Sequence, residues 1–566
     1  MQLSEQEIIR REKLEKLKEM GINPYPADLY PVTHTSQEAK NSFEEGKKVI
    51  VAGRLMSVRI QGKASFAELQ DSAGRIQLYF NRDEICKGED KTLYNEVFKK
   101  LLDLGDFIGV EGELFLTQVG EKTIAVKNFK LLSKVLRPLP LPKVDADGNI
   151  YDAFTDPELR YRMRYVDLVV NPQVKEVFIK RTKLFNAMRQ FFNDAGYMEV
   201  ETPVLQSIPG GASARPFITH HNALDIPLYM RIANELYLKR LIVGGFDGVY
   251  EFSKNFRNEG MDRTHNPEFT AMEIYVAYKD YNWMMDFTER LLEHCAIAVN
   301  GTTKAKFGQH EVDFKAPYKR ITMTDAIKEF TGFDITNKTE NELREFAKSI
   351  GIEVNETMGK GKLIDEIFGE KCEGNFIQPT FITDYPKEMS PLTKEHRHDP
   401  NLTERFELMV CGKEIANAYS ELNDPIDQRE RFEVQMALAD RGDDEAMFID
   451  QDFLRALEYG MPPTSGLGIG MDRLIMFLTN NPSIQEVLFF PQMKPEAKAA
   501  QADFVPNDDE KIILDILKQG EAMILSEVKE KSSLSGKKWD KAIKNLTKNN
   551  IVKVEKQGEV LFVGMV

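Results

Sequence analysis

The segment between Val249 and Val276 constrains the fold more than any other part of the chain. Polar and apolar residues alternate on both sides of a charged loop, which predicts two strands joined as a hairpin. One face would be polar, with Glu251, Ser253, Asn255, Arg257 and Glu259 on the first strand and Phe269, Ala271, Glu273 and Tyr275 on the second. The other face is apolar and would pack on the core. Such a hairpin is typical of the floor of a binding site.

Length and charge set the outer limits. A chain of 566 residues is too long for one ordinary hydrophobic core, so we expect two to four domains. The net charge of −15 argues against a nucleic-acid partner only at first sight, because residues 141–504 carry −17 and each flank carries +1. The flanks are close to neutral, and the acidic middle suits metal ions and a cationic ligand.

The sequence shows no sign of membrane insertion or export. It has no apolar run of membrane-spanning length, and its first twenty residues lack the apolar centre of a signal peptide. The four cysteines, Cys86, Cys295, Cys372 and Cys411, are isolated, which is typical of reduced thiols and argues against a structural zinc. We therefore expect a cytoplasmic protein.

The expected fold class is α+β. Residues 49–132 contain five short apolar segments with a helical stretch, Leu93 to Leu104, before the fourth, which is typical of an OB-fold β-barrel. The expected domains are an N-terminal helical extension (1–48), an OB-fold domain (49–136), a linker (137–170), a largely antiparallel sheet with helices (171–495) and a C-terminal module (505–566). That module reads as three helices (509–519, 525–531 and 537–549) and two strands (551–556 and 559–564), which resembles a winged helix.

A long helix is predicted from residue 171 to residue 196. Asn171 would cap it, Pro172 suits its first turn, and Gly196 suits its C-terminal stop. A strand containing Pro203 follows. Neither G-x-G-x-x-G nor G-x-x-x-x-G-K-[ST] occurs in the chain, which argues against Rossmann and P-loop nucleotide folds.

Two carboxylates, Glu407 and Glu414, flank a predicted turn at Cys411–Gly412. Pairing across that turn would place Glu414 on the face that Glu407 occupies. Two carboxylates facing the same way suit Mg²⁺, which takes one or two of them beside substrate phosphates.

Strict alternation would turn three further polar residues, Asn417, Tyr419 and Glu421, to the opposite face of this strand. If these three residues serve the same site as Glu407 and Glu414, a β-bulge must lie near Ile415–Ala416. Elsewhere, Gly210 and Gly211 allow a ligand to approach the backbone closely. A Gly-rich turn after Ser465 would lead into a helix that carries Arg473.

Three of these segments resemble the motifs of the class II aminoacyl-tRNA synthetases. The long helix with the strand that contains Pro203 resembles motif 1, the hairpin resembles motif 2, and the Gly-rich turn with Arg473 resembles motif 3. The strings IPGGASARPFITHHNALD, ELYLKRLIVGG, FRNEG, THNPEFTAMEIYVAY, SELND and GLGIGMDRL are similar to those of the lysyl-tRNA synthetases. The resemblance covers residues 49 to about 495 and leaves the C-terminal module outside. It implies a homodimer, formed through motif 1, that attaches lysine to tRNA(Lys) through a lysyl-adenylate, with ATP as substrate and Mg²⁺ as cofactor.

The resemblance also implies the ligands of each substrate. Lysine would contact Gly211, Glu235, Arg257, Glu273, Tyr275, Asn417, Tyr419 and Glu421. Glu235 and the Gly211 backbone would take its α-amino group, Arg257 its carboxylate, and Glu421 with Tyr275 its ε-ammonium. ATP would contact Arg257, Glu259, His265, Asn266, Phe269 and Arg473, with adenine between Phe269 and Arg473. Arg257 and Arg473 would be the catalytic residues, Glu407 and Glu414 would hold Mg²⁺, and a general-base role for His265 is the alternative.

The barrel would read the anticodon by stacking bases on aromatic side chains. Arg59, Phe66 and Gln77 are the candidates, and Phe66 in the barrel core is the alternative interpretation. Other functions share parts of this pattern. An aspartyl- or asparaginyl-tRNA synthetase would need a cationic pocket, and a paralogue that lysylates a protein would lack the barrel. An inactive tRNA-binding protein would have lost Arg257, Glu414 or Arg473.

Overall fold

A computed structural model describes residues 3–144, 150–151, 153–212, 214–355, 358–439, 449–495, 506–518, 522–548, 551–557 and 560–565. The chain forms two compact units, Met1–Pro491 and Gln492–Val566. Within the described residues, no helix combines the length and apolar character needed to cross a membrane.

The first unit begins with α1 (Glu5–Glu19) and α2 (Ser36–Asn41). Both helices start with a capping box, in which a Ser or Thr side chain and a Glu three residues later satisfy each other's backbone N–H groups. Leu17 of α1 and Ala39 of α2 are buried against the core of the barrel that follows.

The barrel elements are β1 (Lys48–Gln61), β2 (Ala64–Gln70), β3 (Arg75–Asn81), α3 (Arg82–Ile85), a π-helix (Leu93–Leu101), β4 (Phe107–Leu116) and β5 (Lys122–Ser133). Across residues 48–133, all of them described, the strands close in the order β1-β2-β3-β5-β4. Alternating apolar residues fill the barrel, including Leu69, Leu78 and Val110. The predicted OB-fold is confirmed, and the predicted helix before the fourth strand ends at Leu101.

The predicted linker carries its own structure: β6 (Lys143–Val144), β7 (Ile150–Tyr151), α4 (Pro157–Arg162) and α5 (Arg164–Val170). The long helix α6 (Gln173–Asp194) follows. The prediction that Asn171 caps α6 is wrong, because Asn171 ends α5 and its side chain donates to Phe154 O and Asp167 Oδ1. Gly196, with a φ of 79°, does follow the end of α6.

Further strands are β8 (Met198–Glu199), β9 (Leu205–Gln206), β10 (Ile218–His221), β11 (Ile226–Met230), β12 (Gly248–Phe256), β13 (Glu268–Ala277), β14 (Lys304–Phe307), β15 (His310–Asp313), β16 (Lys319–Thr322), β17 (Thr380–Pro386), β18 (Leu402–Val410), β19 (Lys413–Ser420) and β20 (Thr464–Gly470). Further helices are α7 (Glu235–Val243), α8 (Tyr281–Asn300), α9 (Met323–Thr331), α10 (Glu340–Ser349), α11 (Lys360–Lys371), α12 (Pro425–Ala439), α13 (Gln451–Glu458), α14 (Met471–Thr479) and α15 (Ile484–Val487), with 3₁₀ turns at Glu373–Asn375 and Lys387–Met389.

The main sheet of the described residues has the strand order β16-β17-β18-β19-β20-β13-β12-β8. Its pairs are antiparallel except β16 with β17 and β8 with β12, so the predicted, largely antiparallel sheet is confirmed. One face packs on α6, α8 and α14 through a large apolar cluster that includes Phe192, Ile274 and Phe406. The polar face is left for the site.

The second unit contains α16 (Asp508–Leu517), β21 (Met523–Ile524), α17 (Leu525–Ser532), α18 (Gly536–Lys548), β22 (Val552–Gln557) and β23 (Val560–Met565). Its strands pair in the order β21-β23-β22. Trp539 and Leu546 of α18 are buried in the core of this unit. The element order is that of the predicted winged-helix-like module. The predicted ends at residues 519, 549 and 559 lie outside the described residues.

Candidate active site

A cavity of about 510 Å³ lies on the polar face of the main sheet. Strands β18, β19, β20, β13 and β12 form its floor, while the starts of α7 and α14 contribute to its wall. The predicted residues that line it are Gly211, Glu235, Arg257, Glu259, His265, Asn266, Phe269, Glu273, Tyr275, Glu407, Glu414, Asn417, Tyr419 and Arg473. Glu421 lies beside the cavity and is buried. Residues spread over more than 260 positions of the sequence therefore meet at one site.

The register of the hairpin of β12 and β13 agrees with the predicted polar face. Glu251 pairs with Glu273, and Asn255 pairs with Phe269, so the polar residues of both strands share the cavity face. The Gly-rich stretch expected as a turn is instead strand β20. Its glycines face the cavity, and Gly466 pairs with Tyr275. The side chains between those glycines, Leu467 and Ile469, are buried in the apolar core, which explains why small residues alternate with large ones.

The predicted β-bulge is present in β19. Met409 pairs with Glu414 and Leu408 pairs with Ala416, so Ile415 is the extra residue. The two-residue turn at Cys411–Gly412 has φ values of 48° and 68°, as a type I′ hairpin requires. Because the bulge resets the alternation, residues before and after it reach the same cavity.

One end of the cavity holds the two predicted metal ligands. Asn417 Nδ2 donates to Glu407 Oε1 at 3.2 Å and to Glu414 Oε1 at 3.3 Å, so both carboxylates converge on one amide. Burial, and then the charge of Glu414, raise the pKa of Glu407 to about 7. Arg405, which the sequence interpretation missed, donates to Glu407 Oε1 at 2.6 Å. Two adjacent carboxylates fit a hard cation that brings its own phosphate and water ligands.

Arg473 is held near these carboxylates by a chain of hydrogen bonds. Its Nη1 donates to Glu414 O at 2.8 Å, and its Nη2 donates to His265 Nε2 at 3.1 Å. His265 Nε2 must accept that bond, so its proton is on Nδ1, 2.8 Å from Asp262 Oδ2. Burial, the largest single effect, raises the pKa of Asp262, but hydrogen bonds from His265 and Thr264 together outweigh it and hold that pKa well below its usual range. Both ring nitrogens of His265 are thus engaged.

Arg257 lines the cavity beside Phe269. Its guanidinium carbon is 5.1 Å from the centroid of the Phe269 ring, a cation–π distance. Its Nε is buried and has no hydrogen-bond partner among the described residues. Such an unsatisfied donor is costly unless an anionic ligand pairs with it. Nearby, Asn266 is buried and donates to Glu268 O, while Glu259 is exposed at the rim.

The other end of the cavity is acidic. Tyr419 Oη donates to Glu235 Oε2 at 2.7 Å, and Tyr275 Oη donates to Glu273 Oε2 at 3.1 Å. Below them, Glu251 is paired with Arg231 at 2.8 Å and accepts from Asn234, the residue just before α7. That buried network supports the start of the helix that presents Glu235.

Lys239 was also missed from the sequence. It is fully buried, with its Nζ 2.5 Å from Glu235 Oε1 and in contact with Glu421 Oε2. Its position four residues after Glu235 on α7 is the spacing that brings helical side chains together, so the ELYLKRL string contained the signal. Burial raises the pKa of Glu421 well above its usual range.

Glycine at position 466 makes room for Glu421. A methyl group there would overlap Glu421 Oε1 and approach Tyr275 Cε1 to 2.5 Å. We expect Gly466→Ala to raise the KM for lysine, the substrate that the sequence resemblance implies, about 100-fold, because displacing a buried carboxylate from its cationic partner costs roughly 3 kcal/mol. Pyrophosphate exchange measures this KM. Gly468→Ala is the matched control, since its methyl group would lie 3.7 Å from Glu273 Cγ, and equal KM values for the two variants would contradict the prediction.

The raised pKa of Glu273 leads us to expect that ligand binding depends on pH. Burial, and then the charge of Glu235, raise its pKa to about 8, so it holds a proton at pH 7. A bound cation favours the ionised carboxylate, so binding releases this proton and the affinity for lysine should rise from pH 6 to pH 8. Calorimetry in buffers of different ionisation enthalpy measures the release. Glu273→Gln should abolish it, and an unchanged proton release in that variant would refute the assignment.

The predicted anticodon residues share the outer face of the barrel. Arg59 pairs with Phe66 across β1 and β2, and Phe66 pairs with Tyr79 across β2 and β3. The alternative that Phe66 belongs to the barrel core is wrong, because the intervening Ser65 and Ala67 point inward and Phe66 is partly exposed. Tyr79, missed from the sequence, has its ring 5.2 Å from that of Phe66. Gln77 lies on the same face and accepts from Thr123 Oγ1.

Comparisons with known proteins agree with this geometry. Residues 156–494 match the family model of class II tRNA synthetases (D, K and N), and residues 49–132 match the OB-fold nucleic acid binding domain. A lysine–tRNA ligase from Christiangramia forsetii is 75% identical over 560 residues, covering 99% of this chain and 98% of the relative. The chain belongs to the class II lysine–tRNA ligases.

Other members of this family differ in extent. The lysine–tRNA ligase of Porphyromonas gingivalis is 69% identical over 504 residues, covering 88% of this chain and 87% of the relative. That of Azobacteroides pseudotrichonymphae is 66% identical over 497 residues, covering 87% of this chain and 99% of the relative. The Azobacteroides ligase is matched along nearly its whole length, so it has no counterpart for the part of this chain that lies outside the match. That unmatched part is similar in size to the C-terminal module. The class II match begins inside the predicted linker, and the exact domain boundaries stay a prediction.

Proposed function

We propose that this ligase activates lysine with ATP and transfers it to tRNA(Lys), using the residues of the cavity in the roles that follow. The observation that carries the proposal is the polarity of the cavity. Glu235 and Glu273 make one end acidic, whereas Arg257 lines the cavity with a buried Nε that has no hydrogen-bond partner among the described residues. A dicationic amino acid with one carboxylate matches that order of charges.

Lysine would lie along this axis. Its carboxylate would pair with Arg257, and its α-ammonium would contact Glu235 and the backbone at Gly211, where a φ of 86° suits glycine. Its ε-ammonium would contact Glu421 and the Tyr275 hydroxyl, above Gly466. Glu273, Asn417 and Tyr419 complete the wall. An uncharged analogue would leave a buried carboxylate unpaired and would be rejected strongly.

ATP would occupy the other end, next to the converging carboxylates. Arg257 would contact the α-phosphate, Phe269 and Arg473 would flank the adenine, and Glu259 would lie at its edge. His265 and Asn266 would lie nearer the phosphates. Glu407 and Glu414 would hold Mg²⁺, which when bound offsets the negative charge of the phosphates.

The chemistry needs no protein nucleophile. An oxygen of the lysine carboxylate attacks the α-phosphorus, the bond to the bridging oxygen breaks, and pyrophosphate leaves. The 3′-hydroxyl of the tRNA then attacks the carbonyl carbon and AMP leaves. Arg257 aligns the reactants and stabilises the charge that develops on the phosphate. The two engaged nitrogens of His265 support a positioning role rather than general-base catalysis.

Pyrophosphate exchange with each of the twenty amino acids tests the proposal. We expect exchange with lysine and none with aspartate or asparagine, because the acidic end of the cavity repels their carboxylate or leaves their amide without charge complementarity. Exchange with aspartate would refute the proposal. Lysine activation without transfer to tRNA would favour a paralogue that lysylates a protein, and no activation at all would favour an inactive tRNA-binding protein.

The outer face of the barrel would bind the anticodon. Phe66 and Tyr79 form a partly exposed aromatic pair, and Arg59 lies beside it. We expect Phe66→Ala to raise the KM for tRNA about 10-fold, because a stacked base contributes roughly 1–3 kcal/mol. Aminoacylation at varied tRNA concentration measures this value. Lysine-dependent pyrophosphate exchange in the same variant is the internal control, and a loss of exchange would point to misfolding instead.

A homodimer through motif 1 and a cytoplasmic location complete the proposal. Several large apolar side chains near motif 1 are exposed, namely Ile179, Met198, Val204, Leu205 and Ile208. Strand β8 is also an edge of the main sheet. Exposed apolar patches at a sheet edge are typical of subunit interfaces, and a second copy of the chain would cover them. The unpaired cysteines support a reducing compartment.

A further inference from the structure

Lys239 is a buried cation that the proposed function does not use. Its side chain has no exposed surface, and its Nζ bridges Glu235 Oε1, at 2.5 Å, and Glu421 Oε2. The rings of Tyr419 and Phe453 lie 5.7 Å and 5.9 Å from the Nζ atom. Burial alone would lower the pKa of Lys239, but Glu235 and Glu421 outweigh burial and raise it, so Lys239 is a cation.

The charges of the lysine pocket balance only when Lys239 is included. Glu251 is already paired with Arg231, which leaves the carboxylates of Glu235, Glu273 and Glu421. A bound lysine adds two ammonium groups, and its carboxylate pairs with Arg257. Three carboxylates then face three ammonium groups. Without Lys239 a buried carboxylate would lack a partner, which is strongly destabilising.

Lys239 also determines which carboxylate oxygens face the ligand. It contacts one oxygen of Glu235, whose other oxygen accepts from Tyr419 at 2.7 Å. It contacts Oε2 of Glu421, whose Oε1 has no hydrogen-bond partner in the described part of the chain and stands over Gly466. One ammonium group thereby fixes the two acids that would receive the two ends of the substrate.

We propose that Lys239 is a positioning residue that makes this pocket specific for a dicationic amino acid. It acts as a built-in third ammonium that offsets the negative charge of Glu235 and Glu421 and orients both for the α- and ε-ammonium groups. This inference rests on the proposed function. A competing interpretation is that Lys239 occupies the place of the substrate ε-ammonium and must be displaced, and the experiment below separates the two.

Ionisable groups on several elements surround the ion pairs of Lys239. Glu235 on α7 and Glu421 after β19 contact Lys239, and the ring of Tyr419 on β19 lies 5.7 Å from its Nζ. Glu273 and Tyr275 on β13 interact with Glu421. Arg240 and Asp450 form their own ion pair at 2.5 Å. Because the charge of Lys239 lowers the pKa of Glu421, loss of Lys239 would raise that pKa further, so lysine binding would require a higher pH.

The test is lysine-dependent pyrophosphate exchange by the full chain. Lys239→Met should raise the KM for lysine at least about 50-fold, because an unpaired buried charge is costly. The KM for ATP should stay unchanged, and the rising limb of kcat/KM for lysine should move to higher pH by about one unit. Arg240→Met is the matched control, since it removes a cation one residue away and outside the pocket. Lys239→Arg should keep the wild-type pH profile.

A wild-type KM and pH profile in Lys239→Met would overturn the inference, and a lowered KM would support the displaced occupant instead. If circular dichroism shows that Lys239→Met does not fold, Lys239→Gln replaces it, because glutamine still donates a hydrogen bond but carries no charge. If the wild-type enzyme itself shows no lysine-dependent exchange, the proposed function is refuted. The role of Lys239 is tested separately, by comparing its variants with a wild type that does show exchange.

Discussion

Glu421→Gln should lower kcat/KM for lysine in pyrophosphate exchange about 1,000-fold. The proposed function gives Glu421 the ε-ammonium of the substrate, and the change removes the negative charge but not the volume of the side chain. Breaking a buried charge pair by removing one partner costs roughly 3–5 kcal/mol. The remaining amide can still accept a hydrogen bond, so the loss should appear mainly in the KM for lysine and hardly in the KM for ATP.

Glu430→Gln is the matched control for this experiment. Glu430 is an exposed carboxylate on α12, so its amide variant should behave like the wild type. A Glu421→Gln enzyme that keeps the wild-type KM for lysine would refute the assignment of the ε-ammonium site. An equal increase in the KM for lysine and the KM for ATP would indicate a general disturbance of the sheet instead.

Arg257→Ala should lower kcat/KM about 1,000-fold for both lysine and ATP. Arg257 is the group proposed to contact both substrates, and one preorganised donor at a developing charge contributes 10²–10³ in rate. Lys at this position should restore little, because an ammonium group lacks the planar fork of the guanidinium. Steady-state exchange with each substrate varied in turn measures both effects.

Arg263→Ala provides the comparison for Arg257→Ala. Arg263 is exposed in the loop of the same hairpin and does not line the cavity. The two variants remove the same charge from neighbouring parts of the chain, so a difference between them reports the site rather than the net charge. A loss confined to the KM for ATP would contradict the proposal that Arg257 also holds the lysine carboxylate.

Much of the site followed from local patterns. Alternation between Val249 and Val276 predicted which residues of β12 and β13 face the cavity, and their register confirms it. The requirement that Glu407, Glu414 and Asn417 share a site predicted a bulge, and Ile415 is its extra residue. Both predictions rest on the two-residue period of a strand, which acts between neighbours in the chain.

Other expectations failed where a local pattern had more than one structural solution. The glycines after Ser465 are predicted to form a turn, but they alternate along β20, where a side chain at position 466 would overlap Glu421. Asn171 is a residue type that often caps helices, but it ends α5 and its side chain donates to Asp167 Oδ1. In the first case contacts with residues distant in sequence decided between the solutions, and in the second the preceding helix did.

The sequence by itself determined the barrel, the antiparallel sheet and the residues that surround the site, because periodicity, turn geometry and the order of motifs act along the chain. Only the tertiary structure decided how the charges are balanced. Tyr419 donates to Glu235 across 184 positions of the sequence, and Lys239 joins Glu235 to Glu421. The cost of burying a charge depends on its neighbours in space, so the specificity of the acidic pocket emerges only when α7, β13, β19 and β20 are packed together.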